Sequence, residues 1–333
     1  KVLADPATAN AWCQLSLEEA GAELVATNDP VITPKACKNQ EEITGMKNAH
    51  IRDGLAMVRF LAWLDREVDE GRLHSEADLS DKLFTFRSAL DHFKGPSFDT
   101  ISAAAGNAAM CHYNHMNFEE TSGLEMNSVY LVDSGGQYLD GTTDVTRTVA
   151  IGDPGDEIRT RFTLVLKGHI ALDQGLFPEG TTGTQLDILA RQYLWNEGLD
   201  YDHGTGHGVG SFLSVHEGPQ RVGKQFNEHA LKAGMVLSNE PGFSKDDAYG
   251  IRCENLVVVK DAEISHNDGP PMFRFEALTA VPFDSRLIDV DLLNEAELNW
   301  VNDYHAWVRE VLRPELDRHD REWLEKATEA IGR

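Results

Sequence analysis

The pattern of apolar positions divides the chain unevenly. Over residues 41–68, Ile43, Met46, Ile51, Leu55, Val58, Leu61 and Leu64 recur mostly at steps of three or four, the stripe of a long amphipathic helix. A domain is read as beginning there. Ahead of it, residues 1–39 mix short apolar pieces with turn signals such as Asn28-Asp29-Pro30 and Thr33-Pro34, and read as a connecting segment. Between 99 and 147 the texture turns to small residues, glycines and β-formers. Residues 128–132 (SVYLV) form a short apolar strand ending at Asp133, Gly135-Gly136 supplies a turn, and 146–152 is the returning strand. Asp133 and Asp144 therefore fall on neighbouring strands or at their ends. Helical stretches follow at 156–175 and 182–198, the second closing on Gly198, which suits a helix C-terminus. Strand-like pieces come at 235–239 and 251–260. From 289 the pattern is helical again, with Leu298, Val301, Tyr304, Val308 and Val311 in period and Pro314 closing the run. Trp300 and Trp307 lie one heptad apart there, as expected for core packing or a subunit contact. This order of elements predicts an α+β fold.

Composition narrows the function. With no uninterrupted apolar stretch of membrane-spanning length, and an opening (KVLADPATANAWCQ) unlike a signal peptide, a soluble protein without a membrane partner is expected. The first residue is Lys1 rather than Met, which suggests a fragment or a processed product. The net charge of −25 excludes nucleic acid as a partner, because that contact needs clustered Lys and Arg against phosphates. Cys13, Cys37, Cys111 and Cys253 show no CxxC spacing, so reduced thiols in a cytoplasmic protein are expected rather than a disulfide framework.

Five segments concentrate acids, histidines and glycines: LVDSGG at 131–136, GTTDVTRT at 141–148, HGTGHGVG at 203–210, NEPG at 239–242 and GIRCEN at 250–255. Singly, each reads as ordinary structure: an Asp capping a strand, Glu240 opening a loop before Pro241, His207 as a satisfied histidine. Together they carry more. Carboxylates at the ends of buried strands are costly unless paired, protonated or bound to cations. Asp133, Asp144, Glu240 and Glu254 with His207 make a hard oxygen and nitrogen set suited to manganese, zinc, cobalt or iron, without the thiolates of a structural zinc site. Four negative charges balance two divalent cations, and two-metal hydrolytic sites hold their ions roughly 3.5–4 Å apart around an activated water. The glycine-rich 203–210 stretch lacks the Lys-Ser/Thr of a phosphate loop and the dinucleotide glycine pattern, which argues against nucleotide binding.

The ordered set Asp133, Asp144, His207, Glu240 and Glu254 resembles the ligand set of the pita-bread metallopeptidases, which include methionine aminopeptidase, prolidase, creatinase and aminopeptidase P. The segments DGTTDVTRT, HGTGHGVGSFLSVHEGP, EPGF and GIRCEN are most similar to aminopeptidase P in its longer cytosolic form, and the similarity runs from about Lys35 to the C-terminus. The resemblance implies a pita-bread fold, a curved antiparallel sheet flanked by helices. It implies three parts: the tail of a preceding domain at 1–38, a catalytic domain at 39–285 and a C-terminal helical extension at 286–333. It further implies hydrolysis of the N-terminal Xaa-Pro bond of proline-containing peptides by a hydroxide bridging two divalent ions, foremost manganese, with zinc or cobalt as alternatives. Asp144 and Glu254 would bridge both ions, Asp133 would chelate one, and His207 with Glu240 would complete the other. Glu240 would shuttle the proton, His216 would assist the oxyanion, His112 and His203 would line the substrate site, and Arg252 would orient carboxylates. A cytoplasmic homodimer is expected on the same basis.

Two departures stand out: Phe243 where tyrosine usually follows EPG, and Cys253 where an aliphatic residue is common. Prolidase, which shares the metal set but accepts dipeptides only, is the nearest rival. A metal-free pita-bread binding module would have lost several ligands. Methionine aminopeptidase fits poorly with Arg252 and the long tail.

Overall fold

The computed structural model describes residues 1–264 and 269–333. The predicted long helix spans Gln40–Asp69 and starts at a reciprocal cap: Asn39 Oδ1 accepts from the Glu42 amide at 3.0 Å, and Glu42 Oε2 accepts from the Asn39 amide at 2.9 Å. Met46, Leu55, Val58, Leu61 and Leu64 of the apolar stripe are buried; Ile43 and Ile51 are partly so.

Two antiparallel sheets position the site, beside a third in which Gly136–Tyr138 pairs with Phe93–Pro96 and Gly141–Thr142. In the first, Ser128–Ser134 lies between Ile101–Ala104 and Val145–Ile151, with Asp133 opposite Thr146. In the second, Asn255–Asp261 pairs with Val236–Asn239 on one side and Met272–Ala277 on the other, which in turn pairs with Phe177–Pro178. A hairpin of Gly242–Lys245 and Tyr249–Arg252 leads into the second sheet. The predicted helices are Asp156–Asp173 and Gly183–Trp195, and the tail contributes Glu295–Leu312 and Arg318–Ala327. Their apolar faces meet the first sheet and the hairpin in one large core that includes Val129, Ala150, Phe162, Ile251, Phe283 and Val301. Burial of such apolar area is the main stabilising contribution. The α+β expectation holds.

Three regions differ from the sequence reading. Residues 1–39 are more than a connector: Val2–Ala4 and Leu24–Ala26 pair in parallel across the helix Ala11–Glu19. These strands are too short to show a period, and the helix buries none of its residues. The helix Glu76–Ser88 escaped notice because Leu79 and Leu83 are its only buried apolar residues. Finally, Pro314 closes the tail's apolar run as expected, but a 3-10 turn at Arg313–Glu315 links on to a further helix, Arg318–Ala327, that the period did not show. Trp300 and Trp307 are partly buried against the core, and the Trp300 indole donates to Asp173 at 2.8 Å.

The two sheets are joined by Arg147, whose side chain is fully buried. It donates to the carbonyls of Pro282 (3.0 Å), Thr146 (2.8 Å), Glu254 and Val281, to Asn255 Oδ1 at 2.7 Å and to the Tyr304 hydroxyl at 3.1 Å, and lies 4.1 Å above the Phe283 ring. A guanidinium offers five N–H groups, and here every nitrogen has an acceptor.

Candidate metal centre

Each sequence-derived donor stands where a strand begins or ends. Asp133 is the penultimate residue of Ser128–Ser134 and Asp144 directly precedes Val145–Ile151. His207 closes the two-residue strand Gly206–His207, Glu240 directly follows Val236–Asn239, and Glu254 separates Tyr249–Arg252 from Asn255–Asp261. At such positions the backbone leaves the ladder, and side chains can turn into an opening. All five line one cavity of about 660 Å³, together with His112, His203, His216 and Arg252.

Close approach of chains forces glycine at two positions around it. A Cβ on Gly206 would sit 2.0 Å from the Ser238 carbonyl oxygen, so His207 reaches the site only because its neighbour has no side chain. A Cβ on Gly242 would sit 2.7 Å from Nε2 of His203.

The donors are tightly grouped. Asp144, His207 and Glu254 each offer an atom within 4.8 Å of the others. His207 Nε2 is 3.4 Å from both Asp144 Oδ2 and Glu240 Oε1, while its Nδ1 lies 3.0 Å from the Gly208 carbonyl, which fixes the ring with Nε2 toward the carboxylates. Around them lies a supporting shell. Thr146 Oγ1 donates to Glu254 at 2.6 Å, Ser238 Oγ donates to Glu240 at 2.9 Å, and Arg252 donates to Asp133 Oδ2 at 2.5 Å. Asp133 Oδ1 is buried and meets no hydrogen-bond partner among the described residues.

Electrostatics shows what this arrangement wants. Burial pushes the Asp144 carboxyl up to about 7, with Asp133 and Glu240 adding to the rise against the hydrogen bond from His207. Burial and the neighbouring acids Asp144, Glu240 and Asp133 raise Glu254 well above the usual carboxylate range, and burial raises Glu240 as well. For His207, burial opposes the charge, but the hydrogen bond to Asp144 and the charges of Glu240 and Asp144 carry it to about 9. Like charges crowded into a desolvated site hold protons for want of other cations. The orphaned Asp133 oxygen, the hard donors and this charge excess fit divalent metal ions held by Asp133, Asp144, His207, Glu240 and Glu254.

The remaining predicted residues border the same space. His216 is exposed, its ring edge-on to His207 with centroids 4.2 Å apart, and burial with the nearby His207 and His112 lowers its pKa. His203, held by burial and Arg252 at about 3, is uncharged at neutral pH and packs on Tyr201 with ring centroids 4.7 Å apart. His112 is exposed at the rim. Phe243 is buried and packs against Tyr249, so the departure from tyrosine puts an apolar ring into the core.

Sequence reasoning missed Thr146, Ser238 and Arg191. Thr146 stood inside the quoted GTTDVTRT segment and could have been found there; Ser238 and Arg191 carried no local signal, because their contacts to the His207 amide and to the carbonyls of Tyr201 and His203 join distant segments.

Comparison with known proteins agrees with this geometry. The model for metallopeptidase family M24 matches residues 44–261, and that for the C-terminal region of the same peptidases matches 271–331. A probable Xaa-Pro aminopeptidase P of Arthroderma gypseum is 48% identical over 92% of this chain and 49% of its own length. An X-prolyl aminopeptidase from Caenorhabditis elegans, described as a cytosolic enzyme with a di-nuclear active site, superposes with a TM-score of 0.88 at 42% identity, covering 92% of this chain and 50% of that one. Prolidase from Pyrococcus furiosus matches with a TM-score of 0.64 at 25% identity over 82% of this chain and 74% of that one. The chain thus spans about half the length of the curated relatives it matches. Its curled antiparallel sheet flanked by helices is the pita-bread fold. With its family model covering most of the sequence and the donors gathered in one cavity, the chain belongs to metallopeptidase family M24.

Proposed function

We propose that the chain is the catalytic part of an Xaa-Pro aminopeptidase, hydrolysing the bond between the first residue of a peptide and a proline in second position. The observation that carries this reading is the convergence of five hard donors, three further histidines and Arg252 on one cavity. The names of the relatives at 48% and 42% identity support the substrate class.

Asp144 and Glu254 would be shared between two divalent ions, Asp133 would hold one, and His207 with Glu240 the other. Manganese is our first choice, with zinc or cobalt as alternatives. Such a pair, when bound, supplies a water acidified toward neutral pH and Lewis-acid stabilisation of developing negative charge. The chain's own groups do the rest. Glu240, braced by Ser238, takes the proton of the attacking water and delivers it to the departing proline nitrogen. His216 donates a hydrogen bond to the carbonyl oxygen as it gains charge. His203, neutral and wedged between Tyr201 and Gly242, presents an uncharged ring toward the proline. His112 borders the same space, and Arg252 keeps Asp133 turned inward.

Residues 39–285 form the catalytic domain in this reading, with 286–333 a helical extension and 1–38 the tail of a preceding domain. The extension shares the catalytic core through Val301, Tyr304 and Val308, and so acts as part of the same body. No helix among the described residues is long and apolar enough to cross a membrane. Cytoplasmic residence fits the four free cysteines and the description of the nematode enzyme as cytosolic; homodimerisation follows from the resemblance and is checked by light scattering.

The test is a pair of substrates on the manganese-loaded protein. Cleavage of Gly-Pro-Ala after Gly supports the aminopeptidase, whereas activity confined to Gly-Pro supports a prolidase, the reading favoured by the likeness to prolidase structures. Inactivity with less than one bound ion per chain would instead indicate a binding module.

A further inference from the structure

We infer that Arg191 is the positioning residue that fixes His203 in the cavity wall. The inference rests on the proposed role of His203 at the substrate, and it concerns a residue outside every motif noted in the sequence.

The segment from Tyr201 to His207 has little secondary structure to hold it. Its only strand is Gly206–His207, paired with Arg221–Val222, and residues 201–205 precede that ladder. Two glycines, Gly204 and Gly206, interrupt it and a third, Gly208, follows directly. Backbone of this kind costs conformational entropy to order. The restraint comes from behind, from the helix Gly183–Trp195.

Arg191 of that helix is fully buried, yet lines the cavity. Its guanidinium donates to the carbonyls of Tyr201 at 2.6 Å and His203 at 3.0 Å, and to Thr205 Oγ1 at 3.4 Å. Its Nε holds Asp187 at 2.7 Å and its Nη1 holds Asp200 at 2.9 Å. The planar group also lies 3.7 Å above the Tyr201 ring, on which His203 packs. Asp187 closes the clamp by accepting from Thr205 Oγ1, which itself lies 2.5 Å from the Tyr201 hydroxyl. The Thr205 carbonyl accepts from the Glu240 amide at 2.8 Å, but Glu240 directly follows the strand Val236–Asn239 and its carboxylate is held by Ser238 Oγ at 2.9 Å, so it does not depend on the clamp.

The fork geometry explains why arginine serves and lysine would not. One planar cation meets the two carbonyls and two carboxylates, leaving no N–H to wander; an ammonium has three donors and no flat face for Tyr201. His207 is less dependent on the clamp, because the ladder to Arg221 and the bond from its own amide to Ser238 Oγ at 2.9 Å hold it independently. Loss of Arg191 should therefore disturb His203 and spare the metal ligands.

That asymmetry gives the test. In manganese-loaded Arg191→Ala, KM for Gly-Pro-Ala should rise roughly tenfold or more, the scale expected when a positioning contact slips by an ångström. The kcat and the Mn²⁺ affinity from isothermal titration should stay within about threefold of the parent. Millimolar guanidinium should restore KM in Arg191→Ala but not in Arg191→Lys. A second readout needs neither metal nor activity: the His203 Cε1–H NMR signal, assigned with His203→Gln, should be single and sharp in the parent, broadened in Arg191→Ala, and sharpened again by guanidinium. If the alanine variant does not fold, Arg191→Lys keeps a charge beside Asp187 and should show the same KM rise and broadening. Unchanged KM and an unchanged His203 signal in a folded variant would overturn the inference, as would a parallel loss of kcat, metal affinity and melting temperature without guanidinium rescue. A parent protein inactive on Gly-Pro-Ala would refute the proposed function alone, because the NMR signal still tests the clamp.

Discussion

Two buried polar clusters lie back to back across the strands Val145–Ile151 and Asn255–Asp261, and they solve opposite problems. Around Arg147, a single positive charge is surrounded by acceptors on every nitrogen and roofed by Phe283. Around Asp144, four carboxylates and a histidine crowd together; burial and neighbouring like charges raise the proton affinities of Asp144, Glu240 and Glu254, and Asp133 Oδ1 has no partner among the described residues. Thr146 and Glu254 touch both clusters, so the surroundings change over the width of a strand. A fully satisfied buried charge marks structure; like charges left unsatisfied mark a place prepared for something the chain does not itself supply.

Substitution can break this contrast. Asp144→Asn removes a shared donor from the crowded side: turnover of Gly-Pro-Ala should fall to background and bound metal, by elemental analysis, to less than two ions per chain, while the circular dichroism spectrum is retained. Wild-type activity in that variant would refute its placement among the ligands. Arg147→Met acts on the satisfied side, removing the guanidinium that the carbonyls of Pro282 and Glu254 accept from and one of the two donors to Asn255 Oδ1. At about 1–3 kcal/mol for each buried group left unpaired, it should destabilise by about 3 kcal/mol or more in urea unfolding. A change under about 1 kcal/mol would mean that the cluster is not the structural hub described.

His216→Ala probes the rim of the crowded side, where the ring stands edge-on to His207. Turnover should drop by about 10²-fold, the range for loss of one donor to a developing oxyanion, with both metals retained. Metal loss alongside turnover would reassign His216 to the ligand shell.

The smallest effect is one of pH. In protein stripped by chelator, Asp144 titrates at about 7 instead of 3.8 and His207 at about 9 instead of 6.5. Both bind protons more tightly folded than unfolded, so the stability they contribute is complete at low pH. It is lost from about pH 4 to 7 for Asp144 and from 6.5 to 9 for His207. Urea midpoints of the stripped protein should therefore decline from pH 5 to 9, whereas manganese should remove much of that decline by binding the deprotonated site. Parallel curves with and without manganese would count against a cation-dependent centre.

Much of this was legible in the sequence, for identifiable reasons. The helix Gln40–Asp69 announces itself by period, and the strands flanking Asp133 and Asp144 by a β-rich run ending at Gly135-Gly136. The donors were visible because each falls in a short segment that also carries glycine, where an acid or histidine is conspicuous. What stayed hidden depends on distant contacts. Arg191 looks like any arginine on a helix surface until the loop from Tyr201 to Thr205 folds over it. Glu76 shows nothing in the sequence of the bonds it accepts from the Ala104 amide and Tyr113 hydroxyl. The parallel strands at Val2–Ala4 and Leu24–Ala26 are too brief for alternation to register.

The donors' distribution along the chain has one more consequence. Asp133, Asp144 and His207 precede the exposed stretch at Lys224–Phe226, and Glu240 and Glu254 follow it. A polypeptide nicked there would yield two fragments, each with an incomplete coordination sphere, joined through the Gly208–Leu237 bridge and the Glu254 amide on the Thr146 carbonyl. Reassembly of such halves would be reported by their uptake of metal, making the ion a tether between pieces of protein as well as a reagent.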